Sequence, residues 1–509
     1  TYHHAVWPST GNYCRGGAFN SKLLSCDSIA ILPAEMSKER FDWLSKIAGE
    51  VIATPGCESN VKEIFDKTWE LRNTRDDVVI FNQFEEMGNC VWHYQVTGNA
   101  IAEAYESIKT PTSRFAGACF TSGSAGTMSA GDLLKEKYPY SKLAVGEALQ
   151  CPTLLENGFG GHRIEGIGDK HVPWIHNVRN TDMVIDIDDE DSQNLLRLFN
   201  CEEGKKYLKE VVGVPAETIE KLSFLGISGI ANMLCCIKFA KYYELTEDDV
   251  VATVATDSAI MYTSRIDELN EQQGAYDMLT AARDYSEHLH GVRTDSMLEL
   301  SYQDRKRIHN LKYYTWVEQQ GKTYEEINQQ WYDTHYWTDM HAQADELDKL
   351  INEFNDALKE SVAETSEEFM ERFFNGEDFT YAEMAQGLRQ GVRELSVFPV
   401  LCGSAVADMG TLMLLDNIME LLPSPEQGNY HKATLADGTT EEFVVSAGGV
   451  PTAFVFKTIS DQYGKYSFVK VLSGSITPDM TMVNARTGDN EKLGRLYTMR
   501  GKKATEVKE

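Results

Sequence analysis

The stretch CFTSGSAGTMSAGDLLKEKYP, Cys119 to Pro139, decides the architecture. An apolar strand pattern runs into Thr-Ser-Gly-Ser-Ala-Gly-Thr, and a helical pattern opens at once. Small residues that let backbone N–H groups converge at a helix start suit a bound phosphate. No lysine stands where Gly-x-x-x-x-Gly-Lys-Ser/Thr would need it, so the loop is not a nucleotide P-loop. A tight strand-to-helix turn without a ligand is the alternative reading, because glycine commonly serves such turns.

Outward from this loop, short apolar runs alternate with helical patterns. Strand candidates are SIAILPA (28–34), EVIATPG (50–56), VVIFNQF (78–84), RFAGACFT (114–121), KLAVGEA (142–148) and VVATVATD (250–257). Between the early ones, SKERFDWLSKIAGE places Phe41, Leu44, Ile47 and Ala48 on one helical face. This alternation predicts an α/β fold with a largely parallel, open sheet. Ligands in such sheets bind at the carboxyl ends of strands, which is where the 122–127 loop falls.

Past residue 300 the chain becomes helical and rich in aromatic residues, which are expected to pack against the sheet. Gly321-Lys322-Thr323 is not a P-loop, since Trp316 stands at the leading glycine position. Leu347, Leu350, Ile351 and Phe354 form one helical stripe, and Thr380 with Glu383 predicts a capping box. From about 440 the period becomes two, in TAFVFKTIS, YSFVKVLSG, MTMVNARTGDN and LGRLYTMRG. That pattern predicts a small antiparallel β-barrel or sandwich.

The 509 residues allow two to four domains. Asp and Glu total 78 against 48 Lys and Arg, a net charge of −30, which opposes direct DNA binding. No apolar run reaches membrane-spanning length and no secretory signal opens the chain. The ten cysteines form no C-x-x-C pair, which points to a reduced cytoplasmic setting and no zinc. Cys235 and Cys236 read as small buried hydrophobes in an apolar helix. His171 with His176, and His288 with His290, lack metal-ligand spacing and read as surface or loop residues.

Glycine and hydroxyl clusters recur beside the strands: PSTGNYCRGGA (8–18), SGSAGT (122–127), EGIGDKHVP (165–173), FLGISGIANM (224–233) and VATDSAIMY (254–262). Their order resembles the fold type II pyridoxal-phosphate enzymes, the cysteine synthase and tryptophan synthase β superfamily, over residues 1 to about 355. STGN resembles that family's substrate-carboxylate and cofactor-hydroxyl loop, NQFEEMGN its Asn-Gln-Phe stretch, and TDSAIMY its pyridine-nitrogen contact. The resemblance implies that Ser122, Gly123, Ser124, Ala125, Gly126 and Thr127 hold the phosphate of pyridoxal 5'-phosphate. Asn12 would bond the ring hydroxyl, and Ser9, Thr10, Gly11 and Gln83 would grip the carboxylate of a small amino-acid substrate. Ser258 would meet the ring nitrogen, with Asp257 beside it as the other candidate. A hydroxyl there moderates the electron sink, which suits β-elimination and β-replacement better than transamination. The family's Schiff-base lysine lies shortly upstream of the STGN loop. Only TYHHAVWP precedes Ser9 here, no lysine matches the motif, and impaired turnover is expected. Because the first residue is Thr, the start of the gene product is expected to lie upstream.

Residues 356–509 resemble elongation factor G and its ribosomal-protection relatives. Within FPVLCGSAVADMGTLMLLDNIMELLPSP (398–425), Gly403, Ser404 and Ala405 resemble a guanine-contacting element, here vestigial. FVFKTISDQYGKYSFVKVLSGSITPDMTMVN resembles the barrel domain of those factors. No phosphate loop or magnesium partner accompanies them, so GTP hydrolysis is not expected.

The expected organisation is a truncated pyridoxal-phosphate enzyme domain (1–355), the end of a GTPase domain (356–425) and an incomplete translation-factor β-barrel (426–509). A continuous helix near INEFNDALKE would carry the join. Natural fusion, assembly artefact and designed sequence all fit this arrangement. Three functions follow from it: an impaired β-elimination or β-replacement enzyme working as a homodimer, a ribosome-associated factor fragment, or an inactive fusion.

Overall fold

The computed structural model describes residues 4–24, 26–401, 410–424, 431–434, 438–443, 445–461, 464–501 and 503–507. The chain divides into two compact units, one built on Thr1–Asn352 and the other on Glu353–Leu401 with Leu412–Glu509.

The larger unit is α/β and contains two sheets. The first holds β1 (His4–Pro8), β2 (Ser28–Pro33), β3 (Glu50–Thr54) and β4 (Val78–Ile80) in the order β3-β2-β1-β4, all parallel. The second holds β5 (Arg114–Thr121), β6 (Lys142–Ala148), β7 (Met183–Ile187), β8 (Asp249–Ala252) and β9 (Met297–Glu299). Its order is β8-β5-β6-β7-β9, parallel except for β9. Burial on both faces explains the continuous apolar runs. Cys119, Ala144 and Met183 lie side by side and pack one way, while Phe120, Val145 and Val184 pack the other.

Strand order reverses at two places, and both position candidate residues. In the first sheet β2 and β4 flank β1, whose carboxyl end leads to Ser9. In the second, β6 and β8 flank β5, whose carboxyl end leads to Ser122. Such reversal points leave a crevice that neighbouring crossover helices do not fill.

All six expected early strands are present. The ladder of the last one stops at Ala252, so 253–258 leave the sheet as a loop. β1, β7 and β9 were not anticipated. The aromatic stretch contributes Trp316, Trp331 and Trp337 to the interior, where Trp316 and Trp337 join Phe65, Phe84 and Trp174.

One helix, Tyr336–Ala363, is continuous through the predicted join. Its stripe residues Leu350, Ile351 and Phe354 are exposed, so the periodicity marked a helix but not a buried face. The side chain of Leu347 lies outside the described residues. In the second unit Thr380 and Glu383 form both halves of the expected capping box at helix Tyr381–Glu394. That helix packs tightly on its neighbour: a Cβ on Gly387 would stand 2.4 Å from Val362.

The C-terminal strands pair antiparallel as four ribbons. These are β10 (His431–Thr434) with β11 (Thr440–Phe443), and β12 (Thr452–Asp461) with β13 (Gly464–Ser473). β14 (Thr481–Val483) pairs with β15 (Asn490–Lys492), and β16 (Leu496–Arg500) with β17 (Lys503–Val507). Among the described residues no ladder joins one ribbon to the next.

Candidate functional site

The turn after β1 is bound up in its own packing. Gly11 has φ 154°, and a Cβ there would lie 2.0 Å from Arg40 Nη1, so both conformation and space select glycine. Ser9 is buried and its Oγ accepts from Gly11 N at 2.9 Å. Thr10 and the Glu58 carboxyl are both buried beside this turn. Burial, reinforced by Glu165 and opposed by Arg40, raises Glu58 well above the ordinary carboxylate range.

Asn12 opens the following helix and reaches the loop after β8: Asn12 Nδ2 donates to Asp257 Oδ2 at 3.2 Å. The fully buried Arg40 closes around both. Its Nη1 donates to Asn12 Oδ1 at 3.2 Å, Nη2 to Asp257 Oδ2 at 3.0 Å and Nε to Glu165 Oε2 at 3.0 Å, and it also bonds the Tyr262 hydroxyl. Tyr262 in turn donates to Asp257 Oδ2 at 2.7 Å. Burial opposes the guanidinium charge, but Tyr262, Glu165 and Asp257 outweigh it and hold the Arg40 pKa above its usual value. Arg265 donates to the other Glu165 oxygen at 2.7 Å, so two cations face two carboxylates.

The 122–127 loop is built differently. Ser122 N donates to Gly146 O at 2.9 Å, which ends strand pairing. Ala125 then takes a left-handed conformation, φ 65°, just before helix Gly126–Lys137. Among the described residues none of the backbone N–H groups of Gly123 to Thr127 has an acceptor. Asn89 supports the loop, with Nδ2 donating to Ser124 Oγ at 3.1 Å and to Gln83 O at 3.0 Å. A Cβ on Gly126 would stand 2.5 Å from Asn89 Oδ1.

The 165–168 turn ties the two halves together. Glu165 holds Arg40, Gly166 N donates to Glu58 Oε1 at 2.7 Å, and Gly168 N donates to Ser122 O at 2.9 Å. The predicted stretches therefore converge on one region, as the reversal points require. Gln83 is buried there, connected through Asn89.

Asn12 meets Asp257, the neighbour of Ser258; Ser258 is half-buried and precedes the short 3-10 helix Ala259–Tyr262. Asn12 and Asp257 also touch directly, which leaves no ring-width gap between them. Arg40, Glu58, Glu165, Tyr262 and Asn89 were not singled out. Arg40 carried a readable signal, a charged residue one turn before Leu44 on the apolar helix face. Gly403, Ser404 and Ala405 lie outside the described residues.

The histidines are held singly. His171 pairs with Asp169 at 3.0 Å and His288 with Asp191 at 2.7 Å, while His176 is buried against Thr181 rather than exposed. Cys235 is buried and Cys236 half-buried. No group of His, Cys, Asp and Glu among the described residues is arranged to hold a metal ion.

Among solved structures, a hydrogen sulfide-producing enzyme from Fusobacterium nucleatum is 22% identical, with a TM-score of 0.44 over 55% of this chain and 76% of that one. An O-acetylserine-dependent cystathionine β-synthase from Helicobacter pylori is 23% identical, with a TM-score of 0.41 over 52% and 77%. O-acetyl serine sulfhydrylase isoform 3 from Entamoeba histolytica is 20% identical, with a TM-score of 0.44 over 57% and 77%. At the other end, residues 451–509 match the family model described as elongation factor G domain 2. An elongation factor G-like protein of Thermotoga maritima is 34% identical over 167 residues, 33% of this chain and 24% of that protein. Elongation factor G 2 of Shewanella sp. strain MR-7 is 32% identical over 158 residues, 31% of this chain and 22% of that protein. The chain thus spans about a quarter of these relatives' length. One polypeptide carries a C-terminal part similar to elongation factor G and a larger unit with an α/β fold.

Proposed function

We propose that the larger unit captures the phosphate of pyridoxal 5'-phosphate at Gly123–Thr127, on a scaffold for amino-acid β-elimination or β-replacement of the cysteine synthase type with impaired turnover. One observation carries this reading: five consecutive backbone N–H groups that have no acceptor among the described residues, at a helix start and a reversal point of the sheet. Such groups and the helix dipole favour a phosphate dianion.

The residues fit the phosphate and not the ring. A ring hydroxyl and a ring nitrogen sit on different edges of a pyridine, so their partners must stand apart. Asn12 and Asp257 are in direct contact, and Arg40 is locked against both. Parting them means breaking a buried charge network, and this is the physical basis for impaired turnover.

The test is equilibrium dialysis of the full chain against pyridoxal 5'-phosphate, with inorganic phosphate as competitor. Binding that phosphate displaces, and that Gly126→Ala weakens by pushing on Asn89, supports the reading. Binding indifferent to both, or none at all, overturns it. The homodimer and the small amino-acid substrate belong to the same proposal.

A second reading rests on the match at 451–509: the C-terminal part associates with ribosomes as an elongation-factor-G-like fragment. Salt-sensitive co-sedimentation of the full chain with ribosomes is its expected sign, and its absence at low salt removes it.

A further inference from the structure

A cavity of about 360 Å³ opens in the larger unit, and its wall includes none of the residues of the 122–127 loop and neither Asn12 nor Asp257. This volume lies near the lower end of ligand pockets, roughly 300–1,000 Å³. Its wall joins the end of helix Val61–Thr74, the segment 85–87, Trp174 and the region 322–336.

Most of the charges facing it are already used. Lys322 pairs with Glu85 at 2.6 Å and lies over the Trp174 ring, 5.3 Å from its centroid. Glu326 closes a capping box, accepting from Thr323 N at 2.7 Å and Thr323 Oγ1 at 2.9 Å. Arg72 and Glu86 remain. Arg72 makes a cation–π contact with Trp69, 4.8 Å to the centroid, and among the described residues no ion pair. The Glu86 side chain likewise has no ion pair or hydrogen bond among the described residues. Burial and the Glu85 charge raise the Glu86 carboxyl above its ordinary range, Lys322 and Arg72 oppose this, and none of these groups forms an ion pair with Glu86 among the described residues.

A guanidinium and a carboxylate that line one cavity without an ion pair among the described residues match the two ends of a zwitterion. The guanidinium suits a carboxylate, and the glutamate suits an ammonium group. At the same wall, the Gln329 amide offers both a donor and an acceptor. We propose that this cavity binds a free α-amino acid with a polar side chain, its carboxylate on Arg72 and its ammonium on Glu86. Neither Arg72 nor Glu86 belongs to the 122–127 loop.

The probe is L-glutamine, titrated calorimetrically into the full chain beside L-glutamine amide, which lacks the carboxylate, and N-acetyl-L-glutamine, which lacks the ammonium. Unmodified L-glutamine is expected to bind at least about tenfold more tightly than either derivative. In Arg72→Gln its advantage over the amide disappears, and in Glu86→Gln its advantage over the N-acetyl compound disappears. Both side chains are exposed, so the variants keep the fold, which circular dichroism checks. Saturating pyridoxal 5'-phosphate is expected to leave the affinity unchanged, which separates this site from the cofactor reading. No binding of L-glutamine at millimolar concentration, or binding that the two substitutions leave intact, overturns the proposal.

Discussion

Asn12 and Asp257, 245 positions apart, are joined by a direct hydrogen bond of 3.2 Å that ties the turn after β1 to the loop after β8. Arg40 is the cation that makes this contact tolerable in a buried setting. It neutralises Asp257 and shares Glu165 with Arg265.

Arg40→Met is therefore expected to destabilise the larger unit by about 3–5 kcal/mol, because Asp257 is left buried without its cation. The urea midpoint measures this. A loss below about 1 kcal/mol would mean that water reaches the carboxylate.

Neighbouring residues 257 and 258 should behave differently. Asp257→Ala is expected to lower the thermal midpoint by several degrees, since Arg40, Asn12 and Tyr262 lose a shared acceptor. Ser258→Ala should stay within about 0.5 kcal/mol of the parent. Equal effects would contradict the orientation described above.

Glu147 and Asp186 oppose each other across β6 and β7, both buried. Leu154 N and Leu155 N donate to Glu147. Burial, and for Glu147 the charge of Asp186, raise both carboxyls above the ordinary range near about 4. The folded state thus keeps a proton that the unfolded chain releases, and stability falls as pH rises through and above that range. Glu147→Gln retains an acceptor for the two amides and supplies a donor to Asp186. It should flatten the decline and raise stability at pH 8, as pH-dependent urea denaturation will report. An unchanged slope would assign the pH dependence elsewhere.

In the second unit Thr380 accepts from Glu383 N and Glu383 returns a bond to Thr380 N. Thr380→Ala is expected to cost about 1 kcal/mol. The side-chain bond from Arg372, followed by the cap bonds, holds the Glu383 carboxyl down to about 2. Its contribution is present above the unfolded pKa and fades as pH falls toward 2. Comparing parent and Glu383→Gln at pH 7 and pH 3 checks this, with the difference expected to shrink at pH 3.

Much of the local structure was readable because it depends on neighbours in the chain. The helix start at 126 and the capping box at 380 follow from residues one to four positions apart. Short strands were harder: β7 reads MVIDI, where a buried aspartate interrupts the apolar run, and β9 has only three residues. The exposed stripe at 350–354 shows the same limit, since period alone does not say what covers a face.

By itself the sequence determined the α/β alternation, the glycine-rich turns, the capping box and the antiparallel C-terminal strands. Each arises from side-chain period and backbone freedom within a few residues. Only the tertiary structure decided that Asp257 meets Asn12, that Arg40 binds them together, and that Arg72 and Glu86 line one cavity without an ion pair among the described residues. Those facts depend on strand order and on which way a side chain leaves its loop. Coulomb forces across folded distances carry no signature in local sequence spacing.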